Sequence, residues 1–287
     1  MRFKSYLQEQ EYRKPFTVTS HAAEIVDWIQ KNAAEGIHSI LDDSKTNNRI
    51  YRGMRDSFDD FAIGDSRLFR RRAANTSNHI HSLIPTYPEW QSFPPRESAY
   101  ICSTSLSGAD LYAFRGYSSK DPDAEGSLYF VIPADTARIG VCPSYDFWAC
   151  FDKVGLKGSG FFDVDDVNRF IDKLNTPSTP MPENNPTKLR HSLSKYNEQE
   201  LKESMQDIRI VRPLVESMKK MHADNMDEWL EKALDPNANG FIHTKGEDYR
   251  GVDSRREVWI NGKAAFIKVT GNSDRDIIEF LRKELEL

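Results

Sequence analysis

The stretch that decides the fold is REVWINGKAAFIKV, residues 256–269. Val258 and Ile260 stand two apart, then comes Asn261-Gly262, then Phe266, Ile267 and Val269. A period of two marks a half-buried strand. Asn-Gly is the favoured dipeptide of a tight hairpin turn, because both positions need positive φ. The stretch therefore predicts a β-hairpin, headed by Glu257 and preceded by Arg255 and Arg256.

Working outward, residues 273–286 read as a last helix capped by Ser273. Upstream, 213–233 reads as one amphipathic helix, with Leu214, Met218, Met221 and Trp229 near one face and a stop at Asp235-Pro236-Asn237-Ala238-Asn239-Gly240. The Pro- and Asn-rich stretch 175–188 reads as a linker or exposed loop. Leu128 to Ile132 is a buried-strand pattern stopped by Pro133. Residues 98–104 predict a strand and 106–114 a short helix. Arg49-Ile50-Tyr51 predicts a short strand ending at Arg52-Gly53, and 18–33 a helix capped by Ser20. Residues 55–97 are irregular and carry a basic cluster, Arg67, Arg70, Arg71 and Arg72, which reads as a solvated patch. No regular βαβ alternation is present, and neither a Gly-x-Gly-x-x-Gly after a strand nor a Walker-type loop. The class expected is α+β with largely antiparallel sheets.

Composition limits the function. The chain has 287 residues, 38% hydrophobic and 29% charged, with net charge −5. A core fits within that length, and general nucleic-acid binding does not fit the charge. Three cysteines, none in a Cys-x-x-Cys pair, argue for a reducing cytoplasm over a disulfide scaffold or zinc site. No signal peptide or apolar run of membrane-spanning length is visible, so no membrane partner is expected. His79 and His81 alternate as ligands on a strand would, but lack Asp, Glu or Cys partners at metal spacing, so no metal is expected.

Three segments far apart in the chain carry chemistry: Tyr51-Arg52-Gly53, Cys102-Ser103-Thr104-Ser105 and Glu257-Val258-Trp259-Ile260. A guanidinium at a strand end suits a pyrophosphate, through directional charge-assisted hydrogen bonds. Gly53 has no side chain, so a ligand can approach its backbone closely. Strand-end hydroxyls can anchor a ribose. A carboxylate on a strand suits a developing cation. Taken singly, each segment reads as something ordinary: a solvated arginine, a helix cap, an exposed strand face. Their order and strand context set them apart.

In that order, with Ala109 after the serines and a closing hairpin that continues to Phe266-Ile267-Lys268-Val269 after the glutamate, the segments resemble the motifs of mono-ADP-ribosyltransferases of the arginine–serine–glutamate class, of phage or bacterial type. The resemblance implies an α+β core of two mainly antiparallel sheets with flanking helices. It covers roughly 20–135 and 240–270 of a single domain and leaves a helical insertion at about 140–235. It implies NAD as substrate, cleaved at the nicotinamide–ribose bond, with ADP-ribose passed to a macromolecular acceptor, a protein in preference to a nucleic acid. Glu257, Ser103 and Arg52 are then the catalytic set. Arg52, Gly53, Ser103 and Thr104 contact NAD, and Phe114 stacks on nicotinamide, with Tyr112 and Tyr117 as the next choices. Such an enzyme acts in the cytoplasm of the producing or infected cell.

One position departs from the pattern. Enzymes of this class that modify arginine usually carry Glu two residues before the catalytic Glu, and others Gln; here it is Arg255. A cation there repels a guanidinium, which argues against arginine as acceptor. The preceding loop, 244–251, has flanking glycines and a tyrosine, Tyr249, expected to be exposed and to contact the acceptor with Arg255. Two rival readings use the same residues: NAD hydrolysis or other phosphate chemistry in the same pocket, and a non-enzymatic interaction protein.

Overall fold

The structure, a computed structural model, describes residues 16–42, 48–54, 58, 60–70, 78–113, 126–147, 149–151, 171, 185–204, 208–271 and 273–287. The chain divides into two compact units. The first holds Met1–Arg71, Phe93–Asp146 and Ile242–Leu287; the second holds Arg72–Ser92 and Phe147–Phe241. The second unit thus draws on a segment ahead of the serine motif as well as on the stretch read as an insertion.

Among its described residues the first unit has nine strands: β1 (Phe16–Thr19), β2 (Tyr51–Met54), β3 (Phe61–Asp65), β4 (Tyr100–Ser103), β5 (Ser127–Pro133), β6 (Arg138–Val141), β7 (Ile242–Lys245), β8 (Glu257–Asn261) and β9 (Lys263–Lys268). All pairings are antiparallel, in the order β1-β3-β9-β5-β2-β4-β8-β6-β7. Where two sheets were expected, the described strands form one. Its narrowest point is the β2–β4 junction, where a single pair, Tyr51 opposite Ser103, joins the strands.

The expected hairpin does not form. β8 and β9 are consecutive in the chain, yet β8 pairs with β4 and β6 while β9 pairs with β3 and β5. Asn-Gly makes a bend instead of that turn: Gly262 is at φ 137°, where a side chain is strained, and Asn261 stays in the strand. Ser66 captures the bend. Gly262 N–H donates to Ser66 Oγ at 2.9 Å, and Ser66 N–H to Gly262 O at 3.0 Å. The chain is thereby sent towards β3 instead of back along β8.

Helices α1 (Ala22–Asn32), α2 (Gly36–Ile40), α4 (Leu106–Ala113) and α9 (Arg275–Glu284) belong to this unit. α1 starts later than read, because β-branched Thr17, Val18 and Thr19 pair with β3 as a strand. Ser20 therefore does not cap it; His21 holds that position. Ile25 and Ile29 of α1, Phe130 to Ile132 of β5, Val258 and Ile260 of β8, Phe266 of β9 and Leu281 of α9 share one core. α9 is tied to the arginine-motif strand by a buried network. Tyr51 Oη donates to Asp274 at 2.6 Å, and Arg49 Nη1 lies 3.1 Å from the same carboxylate. Burial, then the Asp274 carboxylate, pushes the Tyr51 phenol well above its ordinary range. Asp274→Asn should lower stability by about 2 kcal/mol, since it weakens two charge-assisted bonds at once; a urea midpoint equal to wild type would show that the network adds nothing.

The second unit contains α3 (Asn78–Leu83), α5 (Pro186–Leu193), α6 (Glu198–Ser204), α7 (Ile208–Lys220) and α8 (Met226–Ala233). His79 and His81 therefore lie on a helix, not a strand. The single helix expected over 213–233 is two. His222 at φ 52° breaks it, and Asn225 restarts it by accepting Glu228 N–H at 3.1 Å, while Glu228 Oε2 accepts the N–H of the preceding Asp224 at 2.9 Å. Arg190 stands over the Tyr87 ring and binds both Asp227 and Glu231. Trp90, Phe147, Phe151 and Phe241 pack ring to ring. No described helix is long and apolar enough to cross a membrane.

Candidate functional site

Three of the sequence-predicted segments meet at the β2–β4–β8 junction. Ser103 is the register partner of Tyr51 on one side and of Glu257 on the other. Arg52 follows Tyr51 directly. Residues scattered across the chain are thus neighbours on three adjacent strands.

Arg52 sits where the sheet parts. Beyond Tyr51, β2 pairs only with β5, and β4 before Ser103 pairs only with β8. The Arg52 side chain lies at this split. Nη1 donates to Ile101 O at 2.7 Å, and the guanidinium stands 5.5 Å from the centroid of the Tyr100 ring. Its Nε is buried and has no hydrogen-bond partner among the described residues. A buried donor left unmatched is costly, and an acceptor oxygen would satisfy it.

Gly53 has a packing reason to be glycine. A Cβ there would lie 2.1 Å from Ala109 O and 2.6 Å from Ala113 N, so α4 rests directly on β2. Any ligand contact at Gly53 must come through its peptide groups. Ser103 is 5% exposed, and its Oγ accepts Ser105 N–H at 3.1 Å at the start of α4. Thr104 is committed to the backbone ahead of β8: Oγ1 donates to Ser254 O at 3.2 Å and accepts Arg256 N–H at 2.9 Å, while Thr104 N–H donates to Arg256 O at 3.0 Å. It pins the approach to Glu257.

Glu257 opens β8 and is 2% exposed. Its carboxylate is engaged by Arg96, a residue the sequence reading passed over, with Nη2 2.8 Å and Nε 3.1 Å from Oε1. The backbone is held on the other side, N–H to Ser144 O and C=O from Cys142 N–H, both at 2.9 Å.

Arg255 is exposed and lies outside the strand, which begins only at Glu257. Its guanidinium stands 5.5 Å from the Tyr145 ring centroid, and Tyr145 is itself 60% exposed. Arg255 Nε and Ser103 Oγ both crowd the space a Cβ on Gly108 would occupy, at 2.8 and 2.3 Å. Arg255 therefore flanks the serine as well as the glutamate.

Tyr249 is a correction. It is 2% exposed and part of the main core, and burial holds its phenol well above the ordinary range. The glycines on either side explain this. A Cβ on Gly246 would lie 2.1 Å from Ala134 O, and one on Gly251, at φ 73°, would lie 2.5 Å from Asn48. These close approaches press the loop onto the core and turn the tyrosine inward, so it is not the exposed residue expected.

Phe114, Tyr117, Arg71 and Arg72 lie outside the described residues, as does the side chain of Tyr112. Cys102, Cys142 and Cys150 are buried thiols. Among the described residues no cluster of His, Cys, Asp and Glu is placed to hold a metal. No family model, curated protein or solved structure matches the chain.

Proposed function

We propose that the protein is a mono-ADP-ribosyltransferase with an ADP-ribosyltransferase-like core, cleaving NAD at the nicotinamide–ribose bond and passing ADP-ribose to a macromolecular acceptor. The observation that carries this reading is the register: Ser103 stands between Tyr51 and Glu257 on adjacent strands, with Arg52 at the same junction. The three segments that carry the family resemblance thus share one junction.

Each residue has a part suited to its surroundings. Arg52, with an unmatched buried donor, binds the pyrophosphate. Ser103 supports the nicotinamide ribose, and Gly53 meets nicotinamide through its backbone. By the family resemblance, Phe114 stacks on the nicotinamide ring. The leaving group departs neutral, so no acid is needed to protonate it. What the bond cleavage needs is a fixed negative charge beside the cationic ribose, and Glu257 supplies it from a rigid strand. Thr104 contributes by holding the chain at 254–256. Buried reduced thiols suit action in a cytoplasm, of the producing or of an infected cell, as for a phage or toxin effector.

The acceptor is a protein in this reading, and Arg255 selects it. An exposed guanidinium beside exposed Tyr145, next to Ser103, is open to an incoming acceptor group. Arg255→Glu should leave nicotinamide release within about twofold, as exposed substitutions usually do, while changing the labelled product or its yield. If nicotinamide release and macromolecule labelling fall in parallel, Arg255 belongs to the NAD site and acceptor selection lies elsewhere. The reading as a whole is tested by incubating the protein with NAD labelled in the adenylate and a cell lysate, then digesting with protease or nuclease. Label released by protease supports a protein acceptor. Label released by nuclease moves the acceptor to nucleic acid. Nicotinamide release with no labelled macromolecule makes the protein a glycohydrolase.

A further inference from the structure

Three alternate residues of β8 reach one short segment of chain. Glu257 receives the Arg96 guanidinium, with both contacts on Oε1. Trp259 donates its indole N–H to Pro94 O at 2.9 Å. Asn261 donates its amide to Ser98 O at 2.5 Å and lies 3.1 Å from Ser98 Oγ. Residues two apart on a strand share a face. Segment 94–98 is therefore a strap along that face, fixed at its ends by Trp259 and Asn261, with Arg96 between them. Two prolines and a tight turn, Ser98 N–H to Pro95 O at 3.1 Å, stiffen it. Arg96 is no loose surface cation: its side chain is 18% exposed, against 3% for the Glu257 side chain.

We propose that Arg96 is a positioning residue for Glu257, holding the carboxylate in the orientation that the NAD ribose requires. The inference rests on the reading of Glu257 as the catalytic carboxylate. Burying that carboxylate with no counter-charge would be strongly unfavourable, and Arg96 makes the buried placement tolerable. Two N–H donors converging on Oε1 hold that oxygen from two directions, where an ammonium would offer one point of contact. A cation beside Glu257 offsets part of its field on the cationic ribose, so the pair gives up field strength for aim. Small errors of aim are expensive in rate, on the order of a hundredfold for about 1 Å.

The test is steady-state NAD cleavage by the full chain carrying Arg96→Ala, Arg96→Lys or Trp259→Phe. Arg96→Ala should lower kcat by about a hundredfold while KM for NAD stays within about twofold. Added ethylguanidinium should recover part of the lost kcat, which repair of a purely structural defect elsewhere would not do. Trp259→Phe, which removes one anchor of the strap, should give a smaller fall of the same kind. If Arg96→Ala does not fold, Arg96→Lys decides: a kcat lowered about tenfold at unchanged KM supports the proposal, and wild-type kcat overturns it. A folded Arg96→Ala protein with wild-type kcat, or with a loss that ethylguanidinium does not relieve, also overturns it while leaving the transferase reading intact. A wild-type protein that does not cleave NAD overturns both.

Discussion

Glu257→Gln is expected to reduce nicotinamide release from NAD by on the order of a hundredfold or more, because the amide keeps the shape and loses the charge that stabilises the cationic ribose. The loss should appear in kcat. Stability will not be untouched, since the carboxylate is buried against Arg96. A glutamine oxygen can still accept from the guanidinium, but the charge-assisted pair becomes a weaker neutral contact, and a loss of about 2 kcal/mol is expected. Circular dichroism and a urea midpoint on the same preparation separate the two effects. A folded Gln variant with wild-type turnover would remove Glu257 from the chemistry.

Arg52→Lys should weaken NAD binding by about tenfold to a hundredfold, the worth of one charge-assisted hydrogen bond arrangement that an ammonium cannot reproduce. Arg52 has two tasks, bracing Ile101 O through Nη1 and offering its remaining donors to an anion. Lysine has one point of charge and cannot do both. Titration calorimetry with NAD reads the change directly. An unchanged Kd, with a lowered unfolding midpoint, would reduce Arg52 to a brace between β2 and β4.

Much of the site was legible because strands announce themselves by local pattern. The apolar run ending at Pro133 became β5, Tyr100–Ser103 fell within the strand expected at 98–104, and Leu106–Ala113 within the helix expected at 106–114. Most of what failed was non-local. Asn261-Gly262 encodes a turn, but the strand that receives the outgoing chain is set by Ser66, far upstream, and the expected hairpin became a crossover. Arg96 lies in a Pro-rich stretch with no strand or helix signal, and nothing in its neighbours points to Glu257. Tyr249 looked exposed because glycine-flanked loops usually are; here the glycines allow close packing instead of exposure. The helix expected at 213–233 broke because Asn225 and Glu228 form a cap inside an otherwise continuous apolar pattern.

The central claim is that the β2–β4–β8 junction breaks the nicotinamide–ribose bond of NAD. The direct measurement is release of nicotinamide from NAD labelled in that ring, by the purified protein and by its Glu257→Gln variant at matched concentration. The account predicts release by the wild-type protein that rises with time and enzyme, and loss of that release in the variant. No release by the folded wild-type protein, or equal release by both, would contradict it.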